Sequence, residues 1–229
     1  MSFVTPILDP QIADIAPGFR ALSICVEASV IEHPQVSAES LEKACKSLVA
    51  DSPVWAERHM AAWANTFRLF GAKPQRTPCS AEALRKRVLR DGSLPSIDPI
   101  VDLYNAISIK YAIPVGGENY DAYFGVPRLT IADGTELFET TKDGNAANES
   151  PEKGEVIWRD DHGVTCRRWN WRQGTRTRLD SNTKRMWFIL ESLPDMPMEA
   201  LIAAGAELSS GLRQVMPDAK IESQVIEFY

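Results

Sequence analysis

The sequence contains few of the residues that build metal sites and disulfide frameworks. Its four cysteines, Cys25, Cys45, Cys79 and Cys166, are widely spaced and form no CxxC pair. No pair of histidines lies near them, so we expect free thiols and no bound metal. The motifs GxSxG, GxxxxGK[ST], HExxH and GxGxxG are also absent. The sequence therefore lacks the signatures of the common hydrolases and of nucleotide-binding and dinucleotide-binding proteins. We predict no cofactor.

Long apolar runs are absent as well. No window reaches the roughly 18 uncharged apolar residues that a membrane-spanning helix needs. Residues 1–14 have neither a basic start nor a continuous apolar core, so we predict no signal peptide, no membrane partner and a cytoplasmic location. The composition, with 44% hydrophobic and 24% charged residues in a chain of 229, is typical of a globular protein. We therefore expect a single domain over residues 1–229.

Charge is unevenly distributed along the chain. The formal net charge is −6, yet residues 158–185 hold eight Lys or Arg against three Asp, a local charge of +5. Trp158, Trp169 and Trp171 interleave with these basic residues. Arginine beside exposed aromatic rings is typical of surfaces that bind single-stranded or end-on nucleic acid, because guanidinium pairs with phosphate and the ring stacks on a base. The pattern favours a nucleic acid as a partner.

Hydrophobic periodicity predicts helices in the first half of the chain and short strands after it. We expect a strand at 19–30 and helices from Ser37 or Ser40, at 53–70, from Ser80 and at 99–111. Strands are predicted at 128–132, 136–139, 154–159, 163–169 and 186–193, a polar surface loop at 140–151, a helix at 197–214 and a strand at 220–229. This order indicates an α+β fold, a mixed or antiparallel sheet flanked by helices. Its expected parts are a helix-rich part at about 1–98, a core at about 99–193 and a C-terminal helix and strand at 194–229.

Residues 101–123 supply the first candidate site residues. Asn105 lies in an apolar helical stretch, where an unpaired amide is costly, so it either fixes the following loop or belongs to a site. Gly116 and Gly117 permit close approach of the backbone to a ligand, or form a tight connection between helix and sheet. Glu118 or Asp121 could orient a water molecule or an amino group.

Residues 166–173, with the sequence CRRWNWRQ, supply the second group. A period of two places Arg168, Asn170 and Arg172 on one face of a predicted strand. The opposite face then carries Arg167, Trp169, Trp171 and Gln173. If this strand is exposed, it is a recognition surface. In the alternative, the tryptophans pack in the core and the arginines are solvated.

The three histidines are weak candidates for a catalytic base. His59 lies between Trp55 and Trp63 at helical spacing, which favours a core histidine. His33 precedes a proline in a turn, and His162 lies in an Asp-Asp-His-Gly turn, where we expect it to be exposed.

Five segments together resemble a known family. They are VDLYNAISIKYAIPVGGENYDAYFG at 101–125, RLTIADGTELF at 128–138, GEVIWRDDHGVTCRRWNWRQ at 154–173, Asn182-Thr183, and FILESL at 188–193. Their order resembles the B3/B4 domain of the phenylalanyl-tRNA synthetase β subunit, and especially its stand-alone relatives. The helical segment before them resembles the N-terminal part of those stand-alone proteins.

In the synthetase this domain is the editing site, which hydrolyses tyrosine wrongly attached to phenylalanine tRNA. The resemblance therefore implies a tRNA-binding domain that hydrolyses a mischarged aminoacyl ester in trans, without aminoacylation. For such a hydrolysis we expect Asn105, Asp121 and Glu191 to be the catalytic residues that position water, and Glu118 to be the partner of the α-ammonium group. The residues implied to bind the aminoacylated acceptor end are Arg168, Trp169, Asn170, Trp171, Arg172, Gln173 and Thr183. The alternatives are a non-catalytic tRNA-binding or RNA-binding module and an amino-acid-binding protein.

Two segments depart from the synthetase pattern. A Leu-His-Ala-Phe-Asp run of the synthetase corresponds to residues 114–121, where Pro114 and Asp121 match and Val-Gly-Gly-Glu replaces the histidine. A glycine-rich AGIMGG segment is replaced by the bulkier and cationic CRRWNWRQ. We therefore expect neither a histidine-assisted copy of the editing site nor a pocket that selects tyrosine.

Overall fold

Residues 4–228 are described by this computed structural model and form six α-helices, eleven strands and one short 3₁₀ helix at Tyr120–Ala122. The helices are α1 Ile12–Ile15, α2 Gln35–Ala50, α3 Ala56–Leu69, α4 Ser80–Asp91, α5 Pro99–Tyr111 and α6 Met198–Val215. The strands are β1 Ile7–Leu8, β2 Arg20–Glu27, β3 Val115–Asn119, β4 Arg128–Ile131, β5 Phe138–Lys142, β6 Asn145–Glu149, β7 Val156–Arg159, β8 Val164–Arg167, β9 Arg172–Gln173, β10 Arg185–Ser192 and β11 Lys220–Glu227. The predicted α+β class is confirmed.

A four-stranded antiparallel sheet in the order β11–β2–β10–β3 separates two hydrophobic clusters. Alternate residues of β2 face opposite sides, so Leu22 and Ile24 pack with α5 and α6 while Ala21 and Cys25 enter the second cluster. Burial on both faces explains why β2 reads as a nearly continuous apolar run.

A five-stranded sheet in the order β1–β4–β7–β8–β9 packs on the other side of the second cluster. Its β1–β4 pair is parallel and its remaining pairs are antiparallel, so the sheet is mixed. Leu129 of β4 and Trp158 of β7 meet Trp63 of α3 and Trp187 of β10 in that cluster. The two sheets and α3 therefore enclose one continuous apolar layer.

Several predicted elements differ from the structure. Helix α2 begins at Gln35, ahead of Ser37 and Ser40, and Ser80 is the first helical residue of α4 with no side-chain cap. The predicted loop at 140–151 is wrong, because β5 and β6 form a hairpin whose turn places Asp143 and Gly144 at positive φ. The strand predicted at 220–229 runs over Lys220–Glu227, and Tyr229 lies outside the described residues.

Helix α5 begins where the sequence predicts and carries one wall of the candidate site. The carboxylate of Asp98 accepts hydrogen bonds from the backbone N–H of Ile100 at 2.9 Å and of Val101 at 3.2 Å.

We expect Asp98→Ala to lower the free energy of unfolding by about 1 kcal/mol, because two backbone donors lose their acceptor. Asp98→Asn should retain most of the stability, and urea denaturation of both variants measures the difference. Equal stability of the alanine variant and the wild type contradicts this capping role.

Candidate functional site

A pocket of about 280 Å³ opens on the face of β3 and β10 and is closed by α4, α5 and the segment between β8 and β9. It brings together seven of the eleven predicted site residues, namely Asn105, Glu118, Trp169, Asn170, Trp171, Gln173 and Glu191. The other four, Asp121, Arg168, Arg172 and Thr183, do not line it.

Glu191 on β10 is held by three donors. It is 1% exposed, and its Oε1 accepts hydrogen bonds from the indole N–H groups of Trp158 at 2.9 Å and Trp169 at 2.8 Å. Its Oε2 accepts a hydrogen bond from the side-chain amide of Asn170 at 2.9 Å. Burial raises the pKa of Glu191 to about 7, although these three donors favour the carboxylate.

Glu118 on β3 is a second buried carboxyl in the same pocket. It is 5% exposed, and its Oε2 accepts a hydrogen bond from the hydroxyl of Tyr123. Burial raises the pKa of Glu118 to about 7, against the opposing effects of Tyr123 and the positive charge of Arg176. Two carboxyls that titrate near neutral pH in one small pocket form a pattern that is enriched at functional sites.

Asn105 and Gln173 add two amide groups. Gln173 donates a hydrogen bond to the carbonyl of Gly117 at 3.0 Å and so ties β9 to β3. The side-chain amide of Asn105 makes no hydrogen bond with another residue of the described range 4–228. The loop after α5 is held instead by Ser108, whose hydroxyl donates to the carbonyl of Ile113 at 2.7 Å. The amide of Asn105 is therefore half-buried at the pocket wall and has no partner among residues 4–228.

The glycine pair of β3 is explained by close packing. A Cβ atom at Gly117 would lie 2.9 Å from ring carbons of both Tyr104 and Phe188. Tyr104 forms part of the pocket wall, so the absence of a side chain at Gly117 is what admits this ring. A Cβ atom at Gly116 would lie 3.3 Å from Ile189.

The predicted strand at 163–169 ends at Arg167, and residues 168–171 form a turn. Arg168 and Trp169 have φ angles of 46° and 64°, so the period-two assignment of residues to faces is wrong there. The turn directs Trp169, Asn170 and Trp171 to the pocket and leaves Arg168 outside, with its guanidinium 4.7 Å from the ring centre of Trp171.

The basic run is largely neutralised by carboxylates from other segments. Arg167 pairs with Glu155 at 2.8 Å and with Glu149 at 3.1 Å, and Arg172 also pairs with Glu149 at 3.3 Å. Further pairs join Arg159 to Glu136, Arg168 to Glu152 and Glu155, Arg176 to Asp160 and Glu139, and Arg185 to Asp121. Arg178 and Lys184 are exposed and form no ion pair within residues 4–228. The local charge of +5 is therefore a property of the sequence more than of the folded surface.

Asp121 and Thr183 line a different, wider cavity of about 1000 Å³. Asp121 accepts a hydrogen bond from Nε of Arg185 at 2.5 Å, and Thr183 donates to Asp180 at 3.1 Å. Neither residue shares a pocket with Glu118 or Glu191.

Two of the three tryptophans in the basic run at residues 158–185 pack in the core. Trp158 is 3% exposed and Trp169 is 0% exposed, which agrees with the core alternative for these two rings. Trp171 is half-buried and lines the pocket beside Asn170. Of the three rings, Trp171 is the one with accessible surface for a base or an acyl group.

Sequence reasoning missed several residues of the pocket wall, including Tyr104, Trp187 and Ile189. A signal was available in β10, whose sequence RMWFILES places Trp187, Ile189 and Glu191 on one face by alternation. Cys166 also lines the pocket, and burial raises the pKa of its thiol well above the usual value, so it is a poor nucleophile.

His59 is confirmed as a core residue. It is buried, and one ring nitrogen lies 2.8 Å from the carbonyl oxygen of Ala112. The other ring nitrogen accepts hydrogen bonds from Trp63 and from the backbone N–H of Leu193, both at 3.1 Å. Burial lowers the pKa of His59 to about 4, so it stays neutral at physiological pH.

Two further observations concern metals and membranes. Within residues 4–228, no group of three or more His, Cys, Asp or Glu side chains is arranged to hold a metal ion. None of the helices in that range has both the length and the apolar character needed to cross a membrane.

Comparison with known proteins identifies the family. The sequence matches the B3/4 domain over residues 62–199, more than half of the chain. The chain belongs to the B3/4 domain family. The matched region extends from α3 to the start of α6 and includes every residue of the pocket.

The B3/4 domain chain is also similar to a solved structure, an N-terminal fragment of the phenylalanyl-tRNA synthetase β subunit from Pyrococcus horikoshii. The TM-score is 0.49 at 15% sequence identity, and the alignment covers 100% of this chain and 55% of the fragment. The chain thus spans about half the length of that fragment. No curated protein matches the sequence.

Proposed function

We propose that this B3/4 domain binds the aminoacyl group of a mischarged tRNA in its pocket and hydrolyses the ester in trans. The observation that carries the proposal is the pair of buried carboxyls, Glu118 and Glu191, beside the unpaired amide of Asn105 in a pocket of about 280 Å³. An α-ammonium group is the cation that every aminoacyl ester carries, and a desolvated carboxylate binds it through a charge-assisted hydrogen bond.

Each side chain has a distinct role in this proposal. Glu118 accepts the α-ammonium group, and the amide of Asn105 donates to the ester carbonyl oxygen as negative charge develops on it. Asn170 and Trp169 hold Glu191 at the far end of the acyl pocket. An aminoacyl ester is already reactive, so orientation of the ester and of one water molecule contributes much of the rate.

The reaction itself is a simple hydrolysis. Water adds to the carbonyl carbon, the bond from that carbon to the ribose oxygen breaks, and the ribose oxygen takes a proton. The products are a free amino acid and an uncharged tRNA. No residue of the pocket becomes covalently modified.

Support for tRNA as the carrier of the ester comes from family membership and from the five segments that resemble the tRNA-editing domain of the synthetase. The basic run at residues 158–185 supports tRNA binding less than its sequence suggests, because most of its cationic side chains are paired with carboxylates. We therefore expect modest affinity for uncharged tRNA, with recognition centred on the aminoacylated end. Binding should still weaken with added salt, since each phosphate contact releases counterions.

Incubation with a panel of tRNAs that carry wrong amino acids tests the proposal. We expect at least one ester to be hydrolysed well above the rate in buffer. Asn105→Ala should slow that reaction by roughly 10-fold to 100-fold, because a donor to the developing oxyanion is lost. Glu199→Gln, which changes an exposed carboxyl in the first turn of α6, is the matched control and should retain the full rate. If no ester is hydrolysed faster than in buffer, the proposed activity is wrong.

A second candidate function is the binding of a free amino acid without RNA. The ion pairs that neutralise the basic run at residues 158–185 favour this function. Titration calorimetry separates the two candidates. Tight binding of a free amino acid, together with no detectable binding of aminoacyl-tRNA, selects the second candidate. Binding of tRNA without hydrolysis selects a non-catalytic tRNA-binding module.

A further inference from the structure

Glu118 and Glu191 lie at the two ends of one apolar strip. Glu118 is opposite Trp187 in the β3–β10 pairing, and Trp187, Ile189 and Glu191 share one face of β10. The four-residue step from Trp187 to Glu191 corresponds to roughly 13 Å between Cα atoms. Gly116 is opposite Ile189, so the middle of the strip has one apolar side chain and no polar one.

The pocket supplies no cation for these carboxyls. None of the described residues that line it is Lys, Arg or His. The groups that bind Glu191 are two indole N–H groups and one amide, all of them neutral. Arg176 lies near Glu118, but its guanidinium is paired with Asp160 at 2.9 Å and with Glu139 at 3.1 Å. A ligand with ammonium groups would therefore supply the positive charge that the pocket wall lacks.

The side walls are suited to a cationic ligand. Five aromatic residues line the pocket, namely Tyr104, Trp158, Trp169, Trp171 and Trp187. Trp158, Trp169 and Trp187 are buried, so the accessible ring surface comes from the half-buried Tyr104 and Trp171. The faces of such rings attract ammonium groups, most strongly when water is excluded. A carboxylate accepts about four hydrogen bonds, and three positions on Glu191 are filled, so one remains for a ligand donor.

We propose that the acyl group selected by this pocket is a diamino acid, with its α-ammonium group on Glu118 and its side-chain ammonium group on Glu191. The methylene chain between the two ammonium groups lies on Ile189 and Gly116. This assignment rests on the proposed function for the ester linkage, but the pairing of two cations with two carboxyls is independent of hydrolysis.

Titration calorimetry with lysinamide and norleucinamide tests the assignment on the wild-type protein. These amides carry the same α-ammonium group and the same methylene chain and lack an ester, and only lysinamide has the second ammonium group. We expect lysinamide to bind at least about tenfold more tightly than norleucinamide, because its second ammonium group makes one additional charge-assisted hydrogen bond. Glu191→Gln should abolish this preference, and Glu199→Gln should leave it unchanged.

The outcomes distinguish the inference from the proposed function. Equal affinity for the two amides overturns the diamino acid assignment, even if neutral aminoacyl esters are hydrolysed. Preferential binding of lysinamide supports the assignment, even if no aminoacyl-tRNA is deacylated and the proposed activity is wrong. Preference that persists in Glu191→Gln also overturns the assignment, because the second cation is then bound elsewhere.

Discussion

Replacing Glu191 with alanine is expected to lower the free energy of unfolding by roughly 4 kcal/mol. The indole N–H groups of Trp158 and Trp169 and the amide of Asn170 all donate to this one carboxyl. Both indoles are buried, so their donors have no solvent to replace the lost acceptor. The truncation also leaves a cavity among large aromatic side chains, which adds to the loss.

The matched variant is Glu191→Gln, which retains an oxygen for the two indole donors. We expect it to cost less than about 2 kcal/mol, because only the contact with Asn170 is disturbed. Urea denaturation followed by far-UV circular dichroism measures both variants. A loss below about 1 kcal/mol for the alanine variant contradicts the proposed role of Glu191 as the acceptor that organises the pocket.

Replacing Glu118 with glutamine is expected to reduce kcat/KM for deacylation by roughly 50-fold at pH 8, since a neutral amide binds an ammonium group far less well than a carboxylate. The wild-type rate should rise with pH up to about 7, where Glu118 ionises. Glu191 has a pKa near the same value, so the two carboxyls contribute jointly to this rise. The variant should show a weaker rise.

Stability should change in the opposite direction, which separates loss of function from unfolding. Because the pKa of Glu118 is raised from 4.5 to about 7 in the folded protein, the folded state binds more protons than the unfolded state between these pH values. Stability contributed by the protonated carboxyl is therefore present at low pH and is lost as pH rises through about 7. Glu118→Gln should be more stable than the wild type at pH 8, by on the order of 3 kcal/mol, and similar at pH 4. Lower stability at pH 8 contradicts the burial of an ionisable Glu118.

Most of the fold could be predicted because its elements follow local rules. Helix α5 has an Asp cap, a proline in its first turn and an apolar stretch, and it was predicted with the observed boundaries. The β5–β6 hairpin was missed because its strands, FETTK and NAANE, carry mainly polar side chains and lack an apolar alternation. Its turn at Asp143 and Gly144 is the one local signal of a hairpin, and the polar residues around that turn led instead to the prediction of a surface loop.

The candidate site could be predicted only in part. Asn105 and Glu191 belong to a helix and a strand that the sequence predicts, whereas β3, which carries Glu118, was not predicted; the three side chains meet in one pocket. Arg168 and Arg172 were misplaced because positive φ angles at 168 and 169 break the alternation on which their position depended. Their ion pairs use Glu149, Glu152 and Glu155, which are distant in sequence, so the neutralisation depends on the tertiary fold.

A crystal structure with an amide-linked analogue of aminoacylated adenosine, the terminal nucleoside of tRNA, tests most directly where the acyl group binds. We predict that the aminoacyl group occupies the pocket of Glu118 and Glu191, with its α-ammonium nitrogen about 2.7–3.2 Å from an oxygen of Glu118. Binding of the analogue in the wider cavity of Asp121 and Thr183 instead, or no binding at saturating concentration, contradicts the proposed site.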